Sequence, residues 1–187
     1  MNDLERFFHR HDGRLVHKWH HYFEIYDRHF ARFRNKPITV VEFGVSQGGS
    51  IQMWKHYFGD QLQFVGVDIN PNCKQFEEPG VRIEIGDQQD RKFLRALSKT
   101  LPPIDVLIDD GGHTMEQQIA TFEELFPMVA PEGQAVQRSA IGARRSLASS
   151  RCRRGTAQTS RAGTCARATR RRQFSPRPRA LPSLRHE

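Results

Sequence analysis

Four short apolar segments alternate with helical patterns between residues 38 and 126, and this alternation restricts the fold more than any other feature. The segments are rich in β-branched residues and almost wholly apolar, as in strands covered on both faces. They read ITVVEF, LQFVGVDI, VRIEIG and IDVLID, at residues 38–43, 62–69, 81–86 and 104–109. Strands and helices that alternate at this spacing predict a parallel sheet with helices on both faces, a doubly wound α/β fold.

A run of aromatic residues precedes the first of these strands. Its spacings of three and four residues predict one long helix, with an apolar face of Leu15, Trp19, Tyr22, Phe23, Tyr26, Phe30 and Phe33. The last helical pattern before residue 133 predicts an inward-facing stripe of Ile119, Phe122, Leu125 and Phe126. We interpret the histidines on the helical patterns as ordinary helix-face residues; they are His17, His20, His21, His29 and His56.

The composition changes abruptly after Gly133. Residues 134–187 contain 14 arginines, no lysine and one acid (Glu187), a formal charge of +13, whereas residues 1–133 carry −5. Apolar residues in the second part are isolated, so it cannot bury enough surface to offset its chain entropy. We therefore predict a folded domain over residues 1–133 and a disordered Arg/Ala/Ser-rich tail over residues 134–187.

Several classes of protein are disfavoured by the composition. No apolar run approaches about 18 residues, so a membrane span is not expected. The N-terminus has scattered charges and no uninterrupted apolar segment, unlike a secretory signal. The three cysteines, an odd number without metal-ligand spacing, are typical of a reduced, cytoplasmic protein.

The first strand leads into a glycine-rich stretch, VVEFGVSQGGSIQMW, that contains Glu42, Gly44, Gly48 and Gly49. Glycines after a strand permit a sharp turn and a close approach of a ligand to the backbone, and the next helix directs its N-terminus at that ligand. The spacing G-x-x-x-G-G differs from the dinucleotide fingerprint G-x-G-x-x-G. A strand–turn–helix connection without a ligand is the alternative.

Polar residues also follow the second and third strands. Asp68 ends the second strand roughly twenty residues beyond the glycines, where an acid bonds ribose hydroxyls in doubly wound folds. It could instead cap its own turn with Asn70 and Asn72. Asp87 and Gln88 follow the third strand and are candidates to bond an adenine edge, although helix N-capping by Asp87 or Asp90 fits equally well.

The fourth strand ends in LIDDGGH, which places Asp109, Asp110 and His113 at the same edge of the sheet. Two acids and a histidine gain little there from core contacts, and the acids repel each other. A metal site, or a base with its orienting acid, explains the cluster better than stability does. A solvated loop is the alternative.

Together these motifs resemble the class I S-adenosylmethionine-dependent methyltransferases, whose fold is Rossmann-like, and most of all the macrocin and mycinamicin type of sugar O-methyltransferase. The resemblance covers roughly residues 15–133. It implies an enzyme of antibiotic biosynthesis that methylates a hydroxyl of a sugar or polyketide with S-adenosylmethionine and Mg²⁺. It predicts no specific nucleic-acid partner and no membrane, and the aromatic N-terminal helix suits a homo-oligomer interface.

The resemblance also implies roles for individual residues. Glu42, Gly44 and Gly48 would surround the methionine part of the cofactor, Asp68 would hold the ribose, and Asp87 and Gln88 would lie near the adenine. Gly49 and Asp109 would also belong to the cofactor site. Asp110 would be a magnesium ligand and His113 the general base. A divalent cation lowers the pKa of a hydroxyl, and an imidazole can then accept its proton.

After residue 133 the sequence departs from this family. Family members continue with a fifth strand that ends in adjacent Glu-Asp, whereas this chain reads QAVQRSAIGARR, without a strand pattern or an acid pair. We hypothesise a frameshifted or truncated chain, to be tested by translating the downstream nucleotides in the other frames. Loss of the fifth strand would expose the edge of the fourth, and so predicts poor solubility and weak cofactor binding.

Two other functions remain open at this level. One is a non-methyltransferase enzyme of antibiotic biosynthesis on the same fold, such as a hydroxylase. The other is unspecific nucleic-acid binding through the arginine-rich tail, which would depend strongly on salt.

Overall fold

The computed structural model describes residues 1–137, which form five α-helices, five strands and three short 3₁₀ helices. The α-helices are α1 (Asp3–Arg10), α2 (His20–Phe30), α3 (Gly49–Phe58), α4 (Arg91–Ser98) and α5 (Met115–Leu125). The strands are β1 (Ile38–Phe43), β2 (Leu62–Asp68), β3 (Val81–Ile85), β4 (Ile104–Asp109) and β5 (Val129–Gln137). The 3₁₀ helices are Ala31–Phe33, Pro71–Phe76 and Phe126–Met128.

The five strands form one parallel sheet in the order β3-β2-β1-β4-β5. The chain runs outward from β1 to β3, then returns to place β4 on the other side of β1, so the order reverses between β1 and β4. Ligands of doubly wound folds bind at such a switch point, beyond the carboxyl ends of the strands. The predicted α/β fold class is confirmed.

The apolar core consists of two clusters, and the alternating side chains of β1 contribute to both. Val40 lies in a cluster with the aromatic residues of α2 and α3, including Tyr26 and Trp54. Val41 and Phe43 lie in the other cluster, with residues of α4 and α5. Every residue of β1 is buried, which explains why this strand is apolar throughout apart from Thr39 and Glu42.

The prediction that the fifth strand is missing was wrong. β5 pairs with β4, and the register joins Val106 to Gln134 and Asp109 to Gln137. Val136 packs against the first core cluster and Ala135 against the second, so neighbouring side chains of β5 contribute to the packing on both faces of the sheet. The edge of β4 is therefore covered, which removes the stated reason for expecting poor solubility and weak cofactor binding.

The predicted boundary between residues 133 and 134 falls inside β5. The division of the chain into a domain and a tail remains a prediction, because residues 138–187, which form most of the proposed tail, lie outside the described residues.

The N-terminal helix is shorter than the aromatic periodicity predicts. Helix α2 begins at His20, and the 3₁₀ helix that follows it contains Phe33. Leu15 and Trp19 precede α2 and are exposed. An irregular segment, residues 11–19, connects α1 to α2 instead.

The predicted stripe on α5 is only partly buried. Leu125 is fully buried, but Ile119 and Phe122 are each 44% exposed, and Phe126 lies in the 3₁₀ helix that follows α5. Ala120 and Thr121 are the other buried residues of α5, because small side chains allow this helix to approach the sheet closely. Among the described helices, none is long and apolar enough to cross a membrane.

Candidate functional site

A cavity of about 390 Å³ opens at the carboxyl ends of the strands, at the switch point between β1 and β4. This volume is within the range of about 300–1,000 Å³ that is usual for small-molecule and cofactor sites. Its lining comes from the turns after β1, β2, β3 and β4 and from the segment before α2. The lining residues with candidate chemical roles are His17, Gly44, Ser46, Asp68, Asp87, Gln88, Asp110 and His113.

The turn after β1 is formed by Gly44, which has a φ of +90°. Its amide donates to the Val67 carbonyl oxygen of β2, 2.8 Å away. A Cβ atom at this position would lie 2.2 Å from the Asp110 carbonyl oxygen, because the loop after β4 passes directly against it. Glycine is therefore needed here for both its left-handed backbone and its small size.

Three predicted residues of the glycine-rich stretch, Glu42, Gly48 and Gly49, are not part of the cavity lining. Gly48 is the N-cap of α3, with φ +73°, and contacts Phe76. A Cβ on Gly49 would lie 2.1 Å from the Leu15 carbonyl oxygen, so a glycine is needed here to leave room for the backbone of the segment before α2. Glu42 is fully buried and accepts a hydrogen bond from Ser50 Oγ at 2.6 Å. The structure thus places these three predicted residues behind the cavity.

Asp68 lines the cavity and also caps its own turn. Its Oδ1 accepts a hydrogen bond from the Asn70 amide and its Oδ2 accepts one from the Ser46 amide, each at 2.9 Å. The two interpretations of Asp68 are therefore compatible in geometry, because each carboxylate oxygen has a second lone pair. Its bonds fix the turns after β1 and β2 to one another.

Gln88 ties two loops together. Its side-chain amide donates to Asp109 Oδ1 at 2.8 Å and to Thr121 Oγ1 at 2.9 Å, while its carbonyl oxygen accepts from the Gly112 amide at 2.9 Å. Gln88 and Asp109 are both buried, so this network holds the loop after β3 against the loop after β4. Gln88 also lines the cavity, and its contact with adenine stays a prediction.

Asp87 lines the cavity and accepts a hydrogen bond from the Gln89 amide at 2.8 Å. The N-cap of α4 is Asp90, which accepts from the amides of Lys92 and Phe93. Asp90, and not Asp87, is therefore the residue that caps α4. Asp87 stays a candidate to contact the adenine, because it lines the cavity.

Asp110 and His113 follow β4 and line the cavity together. The Asp110 amide donates to the Phe43 carbonyl oxygen at 3.1 Å, which fixes this loop to the end of β1. Within residues 1–137, no three His, Cys, Asp or Glu side chains are arranged to hold a metal ion. The described residues therefore do not form the complete magnesium site that the sequence resemblance implies.

Lys18 is a buried charged residue that the sequence analysis did not single out. Its ammonium group is buried and donates to Glu42 Oε1 at 2.9 Å and to Asp110 Oδ2. Burial alone would lower the pKa of Lys18, but the negative charges, chiefly that of Glu42, outweigh it and raise this pKa. The sequence gives no sign that Lys18 is buried. A lysine just before an amphipathic helix is usually exposed to solvent, and one residue has no periodicity.

His17 is a second residue whose position differs from the prediction. It was expected on a helix face, but it precedes α2 and lines the cavity. Both residues lie in the segment of residues 11–19, whose irregular backbone presents His17 to the cavity and buries Lys18.

A doubly wound parallel sheet with a cavity at its switch point and a glycine turn beneath that cavity defines a class of nucleotide-cofactor-binding α/β proteins. Within this class, residues 41–136 match the family described as "Methyltransferase domain". The match spans β1 to β5 and covers half of the chain. The chain belongs to this family.

Similar proteins are named as O-methyltransferases. The chain is 42% identical over 125 residues to the 8-demethyl-8-alpha-L-rhamnosyl tetracenomycin-C 2'-O-methyltransferase of Streptomyces olivaceus, which covers 62% of this chain and 32% of that protein. It is 38% identical over 129 residues to the demethylmacrocin O-methyltransferase of Streptomyces fradiae, with coverage of 64% and 32%. The chain therefore spans about a third of the length of these curated relatives.

A solved structure shows the same fold. It is the MycE methyltransferase from the mycinamycin biosynthetic pathway, in complex with Mg, SAH and mycinamycin VI. The TM-score is 0.65 at 34% sequence identity, and the match covers 73% of this chain and 36% of that one. The sequence resemblance to sugar O-methyltransferases is thus confirmed by sequence and by fold.

Proposed function

We propose that this protein is an S-adenosylmethionine-dependent O-methyltransferase that acts on a hydroxyl of a sugar or polyketide natural product. One observation supports this above the others. The cavity lies at the switch point of a methyltransferase-family sheet, where Gly44 and Asp68 line it from neighbouring strands. The relatives, named as O-methyltransferases of glycosylated natural products, support the acceptor class.

The residues around the cavity suit this cofactor. The turn at Gly44 lets a ligand approach the backbone, and the carboxylate of Asp68 can accept hydrogen bonds from the hydroxyls of a ribose. S-adenosylmethionine supplies a methyl group on a cationic sulfonium, which needs in-line positioning against the acceptor oxygen. His113 lies at the same cavity and is our candidate to accept the proton of the acceptor hydroxyl.

We assign no step of the reaction to a metal ion. The MycE complex contains Mg, but in residues 1–137 the Asp110 carboxylate bonds to the Lys18 ammonium and no cluster of three ligating side chains is present. Asp110 remains our candidate for one magnesium ligand. A cytoplasmic location and a homo-oligomeric state also remain proposals.

Calorimetric titration of the full chain with S-adenosylmethionine and S-adenosylhomocysteine tests the cofactor assignment, with NAD and ATP as controls. We expect both adenosyl compounds to bind one per chain and NAD not to bind, because the glycine spacing differs from the dinucleotide fingerprint. Absence of adenosyl binding, or equal binding of NAD, would contradict the proposal.

Mass spectrometry after incubation with glycosylated polyketides tests the reaction type. A methyltransferase gives a product heavier by one methylene group, whereas a hydroxylase on the same fold gives one heavier by one oxygen atom. The second result would overturn the proposed reaction but keep the cofactor site.

A further inference from the structure

Lys18 links the two strands that border the switch point. Its ammonium group bonds to Glu42, which is in β1, and to Asp110, which follows β4. The Lys18 side chain is 3% exposed, and those of its two partners are 0% and 7% exposed. Lys18 is 24 positions from Glu42 and 92 positions from Asp110 in sequence, so these contacts form only in the folded chain.

The charges in this contact constrain the cavity wall. Glu42 and Asp110 are two buried acids at neighbouring strand ends, and their like charges repel in a medium of low dielectric constant. The Lys18 ammonium donates a charge-assisted hydrogen bond to each carboxylate, and its positive charge offsets their repulsion. Removing one partner of a buried ion pair leaves an uncompensated charge, so the remaining carboxylates would move toward water. For Asp110 the direction open to such a movement is the cavity that it lines.

We propose that Lys18 is a positioning residue of the cofactor site, which holds the turn after β1 and the loop after β4 in their binding arrangement. The inference rests on the proposed function, because it concerns the same cavity. Lys18 does not line the cavity itself; it acts through Asp110, which does. The segment of residues 11–19 is thereby part of the site, since it carries Lys18 and also contacts Gly49 through the Leu15 carbonyl oxygen.

Titration calorimetry with S-adenosylhomocysteine tests this role in the full chain, on the wild type and on Lys18→Met, Lys18→Arg and Lys55→Met. Lys18→Met keeps an unbranched side chain that is one atom shorter and removes its charge. Lys55→Met is the matched control, because Lys55 bonds to Glu78 at 2.8 Å on the surface. We expect a loss of affinity of about tenfold or more for Lys18→Met, partial recovery in Lys18→Arg, and no more than a twofold change for Lys55→Met.

A double-mutant cycle with Asp110→Asn separates positioning from general stability. If Lys18 acts through Asp110, the losses of affinity in Lys18→Met and Asp110→Asn are not additive in the double variant. Additive losses, or wild-type affinity in Lys18→Met, would overturn the proposal. Circular dichroism establishes that each variant is folded at the temperature of the titration.

Nuclear magnetic resonance of the wild-type lysine ammonium groups decides the question if Lys18→Met does not fold. In the wild type we expect one ammonium signal, that of Lys18, to be protected from exchange. This signal should be absent from Lys18→Arg, and its chemical shift should change when S-adenosylhomocysteine is added. Lack of a protected signal, or a protected signal that the ligand leaves unchanged, would contradict the proposal. If the wild type binds no adenosyl compound, the proposed function fails, while the protected signal still tests the contact between Lys18 and the two acids.

Discussion

Asp68 shows how one side chain can serve local structure and a binding site together. Its two carboxylate oxygens accept hydrogen bonds from the Ser46 and Asn70 amides, which orients the carboxylate at the cavity. Ser46 itself has a φ of +51°, an unfavourable conformation for a residue with a side chain. The bond from its amide to Asp68 helps to hold that conformation. These bonds hold the carboxylate in one orientation at the cavity, as the ribose contact that we propose would require.

Replacing Asp68 by Asn tests this dual role. The change keeps the size of the side chain but removes the charge that strengthens hydrogen bonds from ribose hydroxyls, a loss of about 1.5–3 kcal/mol. It also replaces one of the two oxygens that accept the Ser46 and Asn70 amides by an NH2 donor. We expect the affinity for S-adenosylhomocysteine to fall roughly 10- to 100-fold by calorimetry. Asp60→Asn, on an exposed turn, is the control and should bind as the wild type does. Unchanged affinity in Asp68→Asn would refute the ribose role.

Gly44 gives a second test at the same scale. Gly44→Ala adds a Cβ at φ +90°, 2.2 Å from the Asp110 carbonyl oxygen. Gly80→Ala is the matched control, because Gly80 has φ +79° but its nearest contact would be 3.1 Å away. Backbone strain of roughly 1–3 kcal/mol is common to both variants, and only the first adds a collision.

We expect the melting temperature of Gly44→Ala to fall below that of Gly80→Ala by roughly 5 °C or more. Thermal unfolding monitored by circular dichroism measures the difference. Equal melting temperatures would mean that the loop after β4 moves aside at little cost, and would contradict the close approach described here.

At the scale of elements, β5 covers the hydrogen-bonding edge of β4. The pairs that join Val106–Asp109 to β5 all involve residues after Gly133. Ala135 and Val136 also contact the two core clusters. Residues 134–137 therefore contribute both backbone hydrogen bonds and packing to a strand that borders the switch point.

Two truncated chains, one ending at Gln137 and one ending at Gly133, test this contribution. We expect the shorter chain to be less stable by roughly 2–4 kcal/mol, because each lost net hydrogen bond costs about 0.5–1.5 kcal/mol. Urea unfolding followed by tryptophan fluorescence measures the difference. Equal unfolding midpoints would show that pairing beyond Gly133 adds nothing to the fold.

Elements with long periodic patterns could be predicted from the sequence, and short or irregular ones could not. The four apolar strands follow from sustained β-branched runs, since both faces of each strand must be buried. β5 was missed because Ala135 and Val136 are its only apolar residues beyond Gly133, and their burial depends on the sheet already being present. The aromatic spacing around Leu15 and Trp19 indicated a helix that the chain does not form there. In this segment Lys18 bonds instead to Glu42 and Asp110, two acids that lie far from it in sequence.

At the scale of the whole molecule, the position of the site could be predicted, but the network that supports it could not. Parallel strands bring their carboxyl ends to one edge, so Asp68, Asp87, Asp110 and His113 were expected together, and all four line the cavity. The contacts of Gln88 with Thr121 and of Lys18 with Asp110 join residues distant in sequence. Such contacts leave no periodic signal, because they depend on how helices and loops pack on the sheet.

The metal site is where this chain departs from what its resemblance implies. Arg138 and Ser139 follow β5 directly in the sequence, where the family pattern has adjacent Glu and Asp. The hypothesis of a frameshift concerns the residues after Gly133, most of which lie beyond the described part. The cavity does not depend on it, because its lining residues all lie between His17 and Gln117.

Amide chemical-shift mapping of the full chain during titration with S-adenosylhomocysteine tests the central claim most directly. We expect the largest shifts on the turns after β1, β2, β3 and β4, including the amides of Gly44, Ser46 and Gly112, and no change in α1 or on the exposed face of α5. An absence of shifts at saturating ligand, or shifts concentrated away from the switch point, would contradict the assignment of this cavity as the cofactor site.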